Sequence, residues 1–187
     1  MKWVSALSTR PSLEAAVDEV IAATQAALGA TPHLGFVFIS STFASEYPRL
    51  LPLLNERLQL PALIGCGGGG VIGNQVMATR RDGREAQKPA SDGGTTADRF
   101  TDRVTDSKSL VELEDEPALV LCLAHLPGAT VSAFWLDEED LPDLDSPPSS
   151  WVDYVGVDPR SRPDFVLIAD PFTSKISDLL QGMDFAY

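Results

Sequence analysis

The sequence is short of basic residues. It contains 14 Lys and Arg against 27 Asp and Glu, which gives a formal net charge of −13 at pH 7. Nucleic acids and anionic membrane surfaces are bound by clustered Lys and Arg side chains. The charge balance therefore argues against both kinds of partner.

Histidine and cysteine are also scarce. The chain has two of each: His33, His125, Cys66 and Cys122. These four residues lack the spacing of a metal site, and we expect neither a metal nor another cofactor. Both cysteines lie in apolar surroundings and are expected to be reduced, buried thiols rather than a disulfide.

No long hydrophobic run is present. None of the apolar stretches approaches the length of a membrane span. The opening MKWVSALSTRPSLEAAV has neither the basic-then-apolar pattern of a signal peptide nor the Arg- and Ser-rich composition of a transit peptide. We therefore expect a cytoplasmic protein, long enough at 187 residues to bury one sizeable core.

What the sequence does contain is a regular alternation over its first seventy residues. Residues 3–9, 34–42 and 61–65 have the length and apolar character of strands. The stretches between them predict two helices. The first begins at Pro11 or Ser12 and ends at Gly29, and the second runs from Pro48 to Leu58. This β-α-β-α-β order is typical of an α/β fold.

Further along, the chain predicts antiparallel pairing. Two apolar runs flank Leu126-Pro127-Gly128-Ala129, where Pro-Gly favours a type II turn, so we expect a hairpin and hence a mixed sheet. Residues 137–151 are interpreted as an acidic, Pro-rich loop. Residues 165–172 predict another strand, and Ser174 the cap of a final helix.

Two features bear on domain organisation. Residues 78–116 include a long polar stretch with few large apolar side chains and are interpreted as a mobile insertion within one domain spanning 1–187. The chain ends just after the last predicted helix, where an α/β fold would continue with another strand. We therefore expect a piece of a longer protein that lacks its partner domain.

The glycine run LIGCGGGGVIGN (63–74) raises the question of a phosphate site. It formally contains G-x-G-x-x-G at Gly65, Gly67 and Gly70, but VIGNQV is a poor start for the helix that a dinucleotide site requires. Gly-Lys-Ser/Thr is absent, which excludes a P-loop. A bend at which strands pack closely is the favoured interpretation.

Small, hydroxyl and carboxyl residues follow several predicted strands. Because carboxyl ends of parallel strands form ligand crevices in α/β sheets, these residues suggest a rim that holds the ammonium and carboxylate of a small zwitterion. For Ser8 and Ser41, capping of the following helices is an equally good interpretation. The candidate ligand-binding residues are Ser8, Thr9, Ser40, Ser41, Gly65, Cys66, Gly67, Gly68 and Asp170.

Cys66 raises the alternative of a thiol-dependent enzyme. A thiol nucleophile needs a base, and His33 and His125 are not obviously placed to reach it. We assign no catalytic residue and predict that the chain is not an enzyme, with the Cys66 chemistry kept as an alternative.

Several blocks resemble the N-terminal domain of the FIST family (F-box and intracellular signal transduction proteins). They are WVSALSTRPSLEAAV, FVFISSTF, LIGCGGGGVIG, PALVLCLAHLPG and FVLIADPFTSKISDLLQGMDFAY. The resemblance implies a sensory module of signal-transduction proteins that binds small ligands such as amino acids and is followed by a C-terminal FIST domain. It implies no catalytic residues.

Two interpretations therefore stand beside the enzyme. The first is a sensory domain whose small-molecule ligand biases a partner domain. The second is a structural or interaction half-domain without a ligand, which predicts a large exposed apolar patch.

Overall fold

A computed structural model describes residues 1–74, 110–170 and 172–187, in two compact units, Met1–Val131 and Ser132–Tyr187. The first unit has strands and helices in the order β1 (Lys2–Ser8), α1 (Leu13–Leu28), β2 (Leu34–Ser40), a 3-10 helix (Ser41–Glu46), α2 (Tyr47–Arg57), β3 (Leu63–Gly68), β4 (Gly70–Asn74), β5 (Leu110–Glu114) and β6 (Leu119–His125). The second contains α3 (Pro148–Val155) and α4 (Ile176–Ala186).

Helix α1 begins and ends where its capping residues predict. The Ser12 side chain accepts a hydrogen bond from the Ala15 N–H at 3.4 Å, which satisfies a backbone donor in the first turn. Gly29 adopts a left-handed φ of 61° and donates its N–H to the Gln25 carbonyl at 3.0 Å. These local interactions confirm the predicted boundaries.

The predicted mixed α/β fold is confirmed in the first unit. Its four-stranded sheet has the order β1-β6-β2-β3, in which β3 is parallel to β2, and β6 is antiparallel to both β1 and β2. One face carries a core shared with α1 and α2. On the other face, a second core includes Leu7 and Val120 of the sheet and Val71 of the antiparallel pair β4–β5.

The prediction of a hairpin around residues 126–129 is confirmed for the turn and wrong for the second strand. The turn forms, since Ala129 donates its N–H to the Leu126 carbonyl at 3.2 Å and Gly128 has a φ of 83°. The apolar run after the turn is not a strand. Both edges of β6 are already hydrogen-bonded, to β1 and β2, so a second arm has no edge of β6 to pair with.

The prediction for residues 165–172 is wrong as far as the structure describes them. Residues 165–170 have no regular structure, and Val166, Leu167 and Ile168 are exposed. A strand needs a neighbouring strand, and the described part of the second unit contains none. The final helix is confirmed and begins at Ile176, but the predicted cap is wrong: Lys175 rather than Ser174 occupies the N-cap position, and it makes no side-chain cap bond.

Two loop interpretations also change. Helix α3 begins at Pro148, inside the stretch interpreted as an acidic loop, and Gly156 ends it with a φ of 75°. Most of the interpreted insertion, residues 78–109, lies outside the described residues. The end of the interpreted insertion is described, and there Leu110–Glu114 forms the strand β5.

The glycine run forms strand rather than phosphate loop. The run forms β3 as far as Gly68, bends at Gly69 and enters β4, so a strand rather than a helix follows Gly69. A Cβ atom on Gly65 would overlap the backbone carbonyl of Val37 in β2. Glycine at this position therefore permits the close strand packing that the sequence suggests.

Two alanine substitutions in the run test this explanation. Gly65→Ala should lower the free energy of unfolding by about 2 kcal/mol or more, because the clash is with backbone that cannot rotate away. Gly69→Ala is the matched control, since its Cβ would meet no atom within 4 Å, and should stay within about 0.5 kcal/mol of the parent. Urea unfolding followed by circular dichroism measures both, and equal effects would contradict the explanation.

Candidate functional site

The first unit brings three strand ends to one edge of its sheet. Because β6 is antiparallel to β1 and to β2, those two strands run in the same direction, and β3 runs with them. Ser8 pairs with Leu119 at this edge, and Ser40 pairs with Gly68. We call this edge the rim.

The side chains of the rim do not all face the same way. Successive side chains of a strand point to opposite faces. The Ser8 hydroxyl, on the face covered by α1, bonds the Glu19 carboxylate and accepts the Arg10 N–H at 3.3 Å. The Ser40 hydroxyl, on the opposite face, accepts the Ala118 N–H at 3.0 Å. Both hydroxyls are buried and hold the fold together.

The other candidate residues remain more open. Ser41 is exposed as the first residue of the 3-10 helix, and Thr9 is half-buried after β1. Asp170 lies in the second unit, where its carboxylate accepts the Phe172 N–H at 2.9 Å. The structure therefore places eight of the nine predicted residues in one unit. Among the four candidate hydroxyl residues, Thr9 and Ser41 are more accessible than Ser8 and Ser40.

Two contacts at the rim escaped prediction. The first is the ion pair between Arg10 and Glu19, at 3.2 Å, beside Ser8. The second is Tyr47, whose ring packs where a Cβ atom of Gly67 would lie. Burial raises the pKa of the Tyr47 hydroxyl, and the negative charge of a Cys66 thiolate would raise it further. Neither contact has a short-range sequence signal, because each joins a loop or strand to a helix surface.

The two cysteines differ in their environment. Cys66 is exposed and Cys122 is half-buried, which corrects the expectation that both are buried. Burial raises the pKa of the Cys122 thiol, although a hydrogen bond with Ser5 partly offsets the effect. Both thiols are free, as expected.

The two histidines stack on each other, with their ring centroids 4.9 Å apart. His33 Nδ1 accepts the Leu126 N–H at 2.8 Å, and His125 Nδ1 lies 2.7 Å from the Thr31 carbonyl oxygen, to which it can only donate. His33 precedes β2, whereas Cys66 pairs with Phe38 farther along that strand. The imidazoles are thus used in joining the loop before β2 to the end of β6.

Two clefts lie in the second unit, and no candidate residue is among those that line them. Within the same described ranges, no three or more His, Cys, Asp and Glu side chains are grouped as a metal site would need. None of the helices described is long and apolar enough to cross a bilayer. The polar groups of the rim are hydroxyls, glycine backbone and one ion pair.

Thiol labelling tests the difference between the two cysteines. With one cysteine replaced by serine at a time, Cys66 should react with a disulfide reagent about tenfold faster than Cys122, which is half-buried and has a raised pKa. Its rate should match that of a free thiol such as glutathione. Equal rates would contradict the burial difference, and a Cys66 rate far above that of glutathione would favour the thiol enzyme.

A family model described as the FIST N domain matches residues 33–187. No curated protein and no solved structure matches this chain. The matched range begins just before β2 and leaves out the first of the resembling blocks, WVSALSTRPSLEAAV, but it covers most of the sequence. The chain therefore belongs to the FIST N domain family, whose domain is associated with signal transduction.

Proposed function

We propose that this FIST N domain is a cytoplasmic sensory module that binds a small ligand, an amino acid, at the rim without carrying out chemistry on it. The observation that carries the proposal is the arrival of β1, β2 and β3 at one edge. Open α/β sheets bind ligands outside such strand ends, where backbone groups and small side chains are accessible.

The charges at the rim suit a zwitterion. Arg10 and Glu19 present a cation and an anion 3.2 Å apart, and the Arg10 side chain is 56% exposed. The carboxylate of an amino acid would bind Arg10, and its ammonium group would bind Glu19. Thr9 and Ser41 supply accessible hydroxyl groups on the same edge. Signalling further requires that the ligand bind two conformations of the module with different affinity.

A second candidate function is an interaction half-domain, whose proposed partner is a C-terminal FIST domain or another signalling domain. Large apolar side chains are open to solvent in the second unit, among them Trp135 at 89% and Phe172 at 93% exposure. Exposed apolar surface of this kind is typical of protein interfaces. A separately produced C-terminal FIST domain should then shield Trp135 from a fluorescence quencher, and unchanged quenching would count against this role.

The sensory proposal is tested by thermal and urea unfolding with a panel of amino acids. A ligand present at a hundred times its Kd should raise the free energy of unfolding by about 2.7 kcal/mol, because it binds only the native state. Arg10→Gln should weaken that ligand about tenfold by removing a charged hydrogen bond. No stabilisation by any amino acid would refute the proposal.

Arg49→Gln is the matched control. Arg49 is also ion-paired, with Glu14 of α1 and Glu46 of the 3-10 helix, and its side chain is 55% exposed, but neither Arg49 nor its two partners are among the residues proposed to bind the ligand. The affinity of this variant for the amino acid should equal that of the parent. An equal loss in both variants would show that overall charge, rather than the rim, governs binding.

A further inference from the structure

The second unit contains two adjoining clefts beside Leu144. The larger, of about 490 Å³, is lined by Leu144, Gln181, Gly182, Asp184 and Phe185. The smaller, of about 240 Å³, shares Leu144 and is lined also by Leu141, Pro142, Asp143, Lys175 and Asp178. The larger volume falls within the range of small-molecule sites.

The larger cleft has an apolar wall that is open to solvent. Leu144 is 49% exposed and Phe185 is 60% exposed, so each offers a side chain that a ligand can cover. Gly182 lies against the ring of the fully buried Trp151, so close that a Cβ atom on Gly182 would overlap the ring. The wall of the cleft at Gly182 is therefore backed by a packed side chain.

The electrostatics of these clefts favour a cation. Asp184 lines the larger cleft, and Asp143 and Asp178 line the smaller one. The lining includes one basic side chain, Lys175, whose ammonium group donates to the Glu138 carbonyl at 3.1 Å. The unit as a whole has twelve Asp and Glu against three Lys and Arg, which attracts cations and repels anions.

We propose that the larger cleft binds a small organic cation, an ammonium group attached to an apolar or aromatic body. The ammonium group donates hydrogen bonds to the Asp184 carboxylate and to the side-chain carbonyl of Gln181. The body packs against Leu144 and Phe185, and the Phe185 ring adds a cation–π attraction. This site uses no residue of the rim and does not rest on the sensory proposal.

The test titrates the full chain with 2-phenylethylammonium, followed by ¹H–¹⁵N NMR. Two probes of similar size control for charge: 2-phenylethanol is neutral, and 3-phenylpropionate is an anion. The expected result is a saturable shift of the Gly182 and Phe185 amides with the cation, weakened by salt, and at least tenfold weaker binding of the other two. Equal binding of the neutral probe, or no saturation with the cation, would overturn the proposal.

Substitutions locate the site. Asp184→Asn should weaken the cation about tenfold. Asp153→Asn removes the same charge from an exposed position on α3 outside both clefts and should leave the affinity unchanged. Equal losses in the two variants would overturn the proposal, since they would show attraction by the overall charge alone. Arg10→Gln should not change this binding, so a failure of the rim is distinguishable from a failure of the cleft.

Discussion

The pairing of β6 with both β1 and β2 is the constraint on which the first unit depends. Strand β6 (Leu119–His125) is antiparallel to each neighbour, so it forces β1 and β2, which it separates, to run in the same direction. Leu119, Leu121 and Leu123 face the core of α1 and α2, whereas Val120 faces the core shared with β4 and β5. Because β6 buries both faces and uses both edges, it joins the two cores and aligns the strand ends at the rim.

The predictions from sequence succeed where the signal is local. Ser12 and Gly29 set the ends of α1 through bonds that reach four residues at most. Pro148 and Gly156 carried the same kind of signal for α3, which the acidic composition around them obscured. The predictions fail where strand pairing is non-local. The apolar run 165–170 has the pattern of a strand, but the pattern does not show which strand it would pair with. Nor does the sequence show that both edges of β6 are already paired, which leaves the run after the 126–129 turn without a partner.

For the candidate site too, the features that depend on local sequence could be predicted and those that depend on distant contacts could not. That Ser8, Ser40 and Gly68 end strands at one edge could be predicted, because parallel strands in an α/β sheet share an edge. The face of the sheet on which each hydroxyl lies could not be predicted, because a shift of one residue in register moves the side chain to the other face. The structure puts the Ser8 and Ser40 side chains on opposite faces, each with a partner distant in sequence. They are therefore better understood as parts of the scaffold than as ligand contacts.

This assignment changes which groups at the rim are free to exchange partners. Replacing the partner of a buried hydroxyl leaves a polar group unsatisfied and costs about 1–3 kcal/mol. An exposed ion pair contributes about 0–1 kcal/mol, so a ligand can take over Arg10, whose side chain is 56% exposed, at small cost. Taking over Glu19 costs more, because its side chain is only 21% exposed and also bonds the buried Ser8 hydroxyl. The Ser8 hydroxyl bonds the same Glu19 carboxylate, so a ligand that draws Glu19 away also acts on the end of β1. In the proposed sensor, that shared carboxylate is the physical link between occupancy of the rim and the sheet that β6 organises.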